Sequence, residues 1–159
     1  MQNELVKILV LSSALVHYVL ATVLVGVLVA EYYKRKEKLR GGILGYVAFL
    51  IVILIFFVLD IYRNFVAPSV LLNWICLFLD LLASALFVIT SFKYLKNVNK
   101  KLFFSILPFA IGIAIIEVLR LLEVGRYLET YTAITTLIAT ILGYFLIVSF
   151  LIETKEKSN

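Results

Sequence analysis

The sequence predicts an all-α integral membrane fold, a five-transmembrane-helix bundle with the N-terminus outside and the C-terminus in the cytoplasm. Three observations lead there. The 159 residues are 64% hydrophobic and 16% charged, whereas soluble domains are about 45–50% apolar and about 25% charged. Apolar stretches of about 20 residues, enough to cross a bilayer, recur five times. Lysine and arginine gather at alternate joints between those stretches.

The first stretch, about residues 5–33, is interrupted only by Lys7, Ser12, Ser13, His17 and Thr22, and it ends in Lys34, Arg35, Lys36, Lys38 and Arg40. Its start lacks the positive residues of a secretory signal. The apolar run also exceeds the roughly 7–15 residues of a signal core, so a retained helix is expected. The second stretch, 43–62, follows Gly41-Gly42, which reads as a flexible turn. The third, 70–92, follows Ala67-Pro68-Ser69, where a proline can open a helix because its missing N–H costs nothing there. The fourth, 102–122, carries Pro108 and Gly112, a pair suited to a kink, and the fifth covers 131–152. Joints this short make neighbouring helices antiparallel, and the spans leave one membrane domain over 1–159.

Orientation follows from charge. Of the fifteen lysines and arginines, eleven lie at 34–40, 93–101 and 155–157, and only Lys7, Arg63, Arg120 and Arg126 fall on the other side. Positive residues stay cytoplasmic during insertion, so the eleven mark the inside. A net charge of +5 arranged in such clusters suits anionic headgroups and gives no indication of nucleic acid.

Two hairpins of the predicted bundle look alike. Asp60 and Arg63 match Glu117 and Arg120 at a spacing of 57, while Phe87, Ile89, Ser91 and Phe92 match Phe145, Ile147, Ser149 and Phe150 at 58. Both hairpins would enter from the same side, which makes this a possible parallel repeat of helices 2-3 and 4-5.

Ionisable groups deep in a bilayer are costly and so mark candidate sites. At about 1.5 Å per residue, His17, Asp80 and Glu117 all fall roughly 8–11 Å below the outer boundary. Asn73, Cys76, Asp80, Ser84 and Ser91 share one helical stripe; Ser13, His17 and Ala21 form another, and Thr132, Thr136 and Thr140 a third continued by Gly143. Small and hydroxylated faces turn towards other helices in lipid. The expected interior is therefore polar in its outer half and closed in its inner half by Phe87, Phe92, Phe145 and Phe150. The candidate ligand or ion pocket comprises His17, Asp80, Glu117, Arg120, Asn73, Ser84 and Thr136, and the same residues also suit helix fastening, with Glu117 and Arg120 paired along one helix.

Lone Cys76 precludes a disulfide or Cys-based metal cluster within the chain, and lone His17 precludes a haem held by two of its histidines. No phosphate loop, nucleophile elbow or paired-His metal motif occurs. No cofactor, metal or catalytic residue is expected. The layout is similar to the multi-helix membrane sensor regions that precede cytoplasmic signalling domains in prokaryotes, and the Ile- and Lys-rich composition suits such a source. That layout implies a non-enzymatic subunit or sensor-like module of the cell membrane, working with a membrane-protein partner or as a homo-oligomer. Its tail after Ile152 is seven residues, so any output would pass through the partner. A small proton- or cation-coupled transporter using Asp80 and Glu117 is the alternative.

Overall fold

A computed structural model describes residues 2–67, 69–95 and 129–156, together with Phe104, Ile111 and Ile115. Most side chains of 2–10 and all those of 129–140 lie outside the described set, as do Pro68 and, but for those three residues, the predicted fourth stretch with Glu117 and Arg120. The described residues are helical throughout apart from short joints. Helix α1 is Gln2–Tyr32, α2 is Glu37–Phe65, α3 is Val70–Thr90, and α4 is Glu129–Glu156; a π-helical turn, Ser91–Leu95, continues α3. Three segments, Leu11–Tyr32, Glu37–Arg63 and Val70–Tyr94, are long and apolar enough to cross a membrane.

The joint between α1 and α2 lies at residues 33–36, closed by the Lys34 N–H donating to the Glu31 carbonyl at 3.1 Å. Gly41 and Gly42 are therefore not a turn. They sit within the first turns of α2, where Glu37 favours the positive end of the helix dipole. Ser69 caps α3, its side chain accepting from the Leu72 N–H at 3.1 Å. That hydrogen bond serves one of the first-turn donors, which have no carbonyl partner within the helix.

Close backbone approach explains the glycines. A Cβ on Gly41 or Gly45 would collide with the Tyr94 hydroxyl or the Thr90 side chain, and one on Gly42 would lie 2.9 Å from Tyr94 and 3.0 Å from Phe150. Without side chains at these positions, α2 seats the end of α3 and its π turn directly on its own backbone. Widening α3 at Ser91–Leu95 brings Tyr94 onto that flat surface.

Each helix turns a stripe with steps of three and four inward. Ala14, His17, Ala21, Leu24 and Leu28 form it on α1; Cys76, Asp80, Ala83, Phe87 and Thr90 on α3; Tyr144, Ile147, Leu151 and Thr154 on α4. At the centre Tyr46 is fully buried, its ring 6.0 Å from that of Phe87 and 5.3 Å from that of Phe150. Phe49 meets Phe87 at 5.0 Å. Phe92 and Phe145 do not close the interior as expected: both are exposed, because the turn of each helix carries them to the outer face.

Directions follow from the contacts. Helices α1 and α2 are antiparallel, as are α2 and α3, whose facing pairs are Gly45 with Thr90, Tyr46 with Ser91, and Phe49 with Phe87. By contrast α1 and α4 run the same way, since Tyr144 reaches His17 and, further along both chains, Arg35 reaches Leu151 and Thr154. It follows that α3 and α4 also run in one direction.

The proposed repeat does not extend to packing. Phe87 and Ser91 are buried where Phe145 is exposed and Ser149 half-buried, and Ile89 and Phe92 are exposed where Ile147 and Phe150 are fully buried.

Candidate functional site

Buried polar groups gather at two levels. The first lies where α1 ends and α2 begins. Arg35 is 5% exposed although it belongs to the basic run. Its Nε donates to Glu31 at 2.9 Å, Nη1 to the Thr154 hydroxyl at 3.3 Å, and Nη2 to the Leu151 carbonyl at 3.0 Å. One planar guanidinium thus ties the end of α1 to the last turns of α4, using its fork of N–H donors on a hydroxyl and a main-chain carbonyl together. Thr154 passes the link on by donating to the Phe150 carbonyl at 2.6 Å. Arg40 supports the joint, donating to the Arg35 carbonyl at 3.2 Å with its guanidinium 5.4 Å from the Tyr32 ring centre. Nearby, Tyr46 and Ser91 share a buried hydrogen bond of 3.1 Å between α2 and α3.

The second level is built around His17. Its ring is fully buried and stacks on Phe57 of α2 at 4.7 Å and 17°, with Tyr144 of α4 edge-on at 5.9 Å. The Tyr144 hydroxyl donates to the His17 main-chain carbonyl at 3.3 Å. Neither imidazole nitrogen has a hydrogen-bond partner among the described residues. Such an imidazole carries a donor and an acceptor that water would have satisfied, at a cost of about 1–3 kcal/mol for each group left unmade.

Asp80 is also buried. The α2–α3 pairing advances one residue on α2 for each residue back on α3, and continuing it about two turns beyond Phe49 brings Asp80 level with Phe56 and Phe57. His17 on α1 and Asp80 on α3 therefore stand at about one height along the bundle. Cys76, one turn from Asp80, is buried as well. Beyond this level Asp60 and Arg63 form an ion pair within α2.

The other candidate residues divide. Asn73 is exposed near the start of α3, one helical turn after Ser69: by spacing it continues the Cys76–Asp80 face, but it lies beyond the buried part of that face. Ser84 is half-buried beside Ala83. Thr136 lies in α4 with its side chain outside the described set, and Glu117 and Arg120 lie outside the described residues altogether. No group of three metal-ligating side chains occurs among the described residues. Sequence reasoning missed Arg35, Tyr46 and Tyr144. A signal for Arg35 was available in Glu31, four residues before it on the same helical face.

The fold and these two levels define an all-helical protein with three helices able to span a membrane. Compared with known proteins, the chain matches no family model, no curated protein and no solved structure.

Proposed function

We propose that this protein is a multi-pass component of a prokaryotic cell membrane, crossing it five times with the N-terminus outside, and that it serves as a non-enzymatic subunit or sensor-like module beside a partner membrane protein. Parallel α3 and α4 support the fifth crossing, since successive spans of a membrane chain alternate in direction. Phe104, Ile111 and Ile115 support it too: all three are helical, apolar and exposed, and they fall at i, i+7 and i+11 on one face. The end where Lys34–Arg40, Lys93 and Lys155 converge is then the cytoplasmic one.

The observation that carries the partner is the outward face of α1. Only 22% of its spanning window is buried, against 44% for α2. On that face Thr22, Gly26 and Ala30 recur at steps of four, all exposed, and a Cβ on Gly26 would meet nothing within 4 Å among the described residues. The Thr22 hydroxyl is already satisfied by the Tyr18 carbonyl at 2.7 Å, so the face is smooth as well as narrow. Small residues at this spacing let a second transmembrane helix approach closely.

Gly26→Leu tests the reading, because no described residue of this chain packs above Gly26. Native isolation of the wild type should yield a stable complex with one membrane protein, which the variant loses while keeping its thermal stability. Isolation of the wild type as a bare monomer overturns the proposal.

The shared height of His17 and Asp80 favours a second reading, proton- or cation-coupled transport. Under it, purified protein in liposomes moves protons or monovalent cations and Asp80→Asn abolishes the flux. An unchanged flux in the variant eliminates Asp80 as the carrier.

A further inference from the structure

We infer that His17 is a proton-sensitive latch between α1 and α4, seating the two helices together while neutral and separating them at its level when charged. The inference rests on the membrane-embedded reading of the bundle, but on neither the partner nor the transport reading.

Its basis is the mismatch between the imidazole and its surroundings. The neutral ring fits as an aromatic one, flat against Phe57 and edge-on to Tyr144, with both nitrogens inside and without hydrogen-bond partners among the described residues. A proton would turn both nitrogens into donors and place a full charge there. A cation over an aromatic face recovers about 0.5–2 kcal/mol, while an uncompensated buried ion costs several kcal/mol. The charged ring therefore needs water or an anion, and the layer has to open to admit either.

The surrounding groups define the response. From α2 the ring faces Phe57, and the nearest charged side chains on that helix, Asp60 and Arg63, are paired with each other one to two turns away. From α4 it faces Tyr144, whose hydroxyl is engaged by the His17 carbonyl. On α1 itself no charged residue occurs between Leu11 and Ala30. Asp80 stands at about this height on α3.

The weaker seam is the one that gives. Helix α1 is joined to α2 by a short turn and, among the described residues, packs against it more extensively than against α4. Two polar links hold α1 to α4 among the described residues, the Tyr144 bond at the level of His17 and the Arg35 cluster beyond it. Charging His17 acts on the first and leaves the second as a pivot.

Because the chain has a single histidine, ¹⁵N-histidine labelling reports His17 alone. The full chain would be placed in phosphatidylcholine–phosphatidylglycerol bilayers and taken from about pH 8 to about pH 3, a range that extends well below the one in which an exposed histidine switches. Nitroxide pairs, in a Cys76→Ala background, report the seam: Ser12→Cys with Leu142→Cys near His17, and Tyr33→Cys with Ile152→Cys at the Arg35 end. All four sites are exposed.

The expected result is conversion of the nitrogen signal to imidazolium over the same pH range in which the Ser12–Leu142 distance lengthens by on the order of 2 Å or more. The Tyr33–Ile152 distance stays fixed, and His17→Phe, which keeps the stack and loses the nitrogens, abolishes the change. A ring that remains neutral throughout, an imidazolium without lengthening, or lengthening that persists in His17→Phe overturns the latch. Should His17→Phe fail to fold, the wild-type nitrogen signal and the two distances still decide. Gly26→Leu leaves these readings unchanged, so loss of a partner and failure of the latch are separate outcomes.

Discussion

At the Arg35 end of the bundle, buried Arg35, Thr154, Tyr46 and Ser91 each have a hydrogen-bond partner on another helix; at the level of His17, an equally buried side chain has none among the described residues. Both levels join the same helices and both are walled by aromatic rings. For helices that are apolar on most sides, burial of apolar surface drives little association in lipid, and fit and hydrogen bonds do most of the holding. One level is thus built to stay closed, with glycine-backed packing and a forked cation. The other is closed among the described residues by ring contacts and the single Tyr144 bond to the His17 main-chain carbonyl, around a side chain whose charge can change. A fixed end and a changeable middle are what a bundle that responds to its surroundings requires.

The strongest way to break the fixed end is steric. Gly45→Leu drives a side chain into Thr90, which has the α3 backbone behind it, and overpacking of a seam this tight should cost about 3 kcal/mol or more. Unfolding in mixed micelles with increasing SDS would register it as a large fall in midpoint or as failure to fold. Wild-type stability for this variant would mean that α2 and α3 do not approach on the glycine face.

Arg35→Ala should follow, at about 2–3 kcal/mol, since it removes three hydrogen bonds and leaves buried Thr154 and the Leu151 carbonyl without their α1 partner. The loss should localise. Protease accessibility near the α4 terminus would increase while Tyr46 and its neighbours stay protected, and Arg35→Lys should recover only part of the stability because an ammonium cannot span the same fork. A variant as stable as the wild type would reduce Arg35 to one more residue of the basic cluster.

Much of this was legible in the sequence, and the exceptions have a common cause. Periodicity marks which residues lie on one side of a helix: Cys76 and Asp80 emerged on a single stripe, and both are buried. It cannot say which side a neighbour will take when most sides are apolar. Asn73 was grouped with that stripe and is exposed, while Phe145 and Phe150, five residues apart on α4, face out and in respectively. Composition misled in the same way at Gly41-Gly42, where residues that commonly make turns are used for close approach. Arg35 was hidden by its neighbours, since four surrounding cations mark a solvated joint and conceal the one that turns inward. Glu31 and Thr154 select it, but Thr154 lies 119 residues away.

The smallest effect discriminates best between the two levels. Tyr46→Phe and His17→Phe each remove polar atoms from a fully buried aromatic position while leaving a ring in place. For Tyr46 the loss includes the bond to Ser91, leaving a buried hydroxyl unmatched, and should cost about 1 kcal/mol. At His17 no hydrogen bond of the side chain is lost, and the unsatisfied nitrogens are replaced by carbon against Phe57 and Tyr144. The change should fall between zero and about 1 kcal/mol of stabilisation near neutral pH. Measured side by side in the same micelles, opposite signs mean that the imidazole is retained for something other than holding the helices together. A loss at His17 as large as that at Tyr46 would mean that its nitrogens are satisfied in the membrane, and the difference between the two levels would disappear.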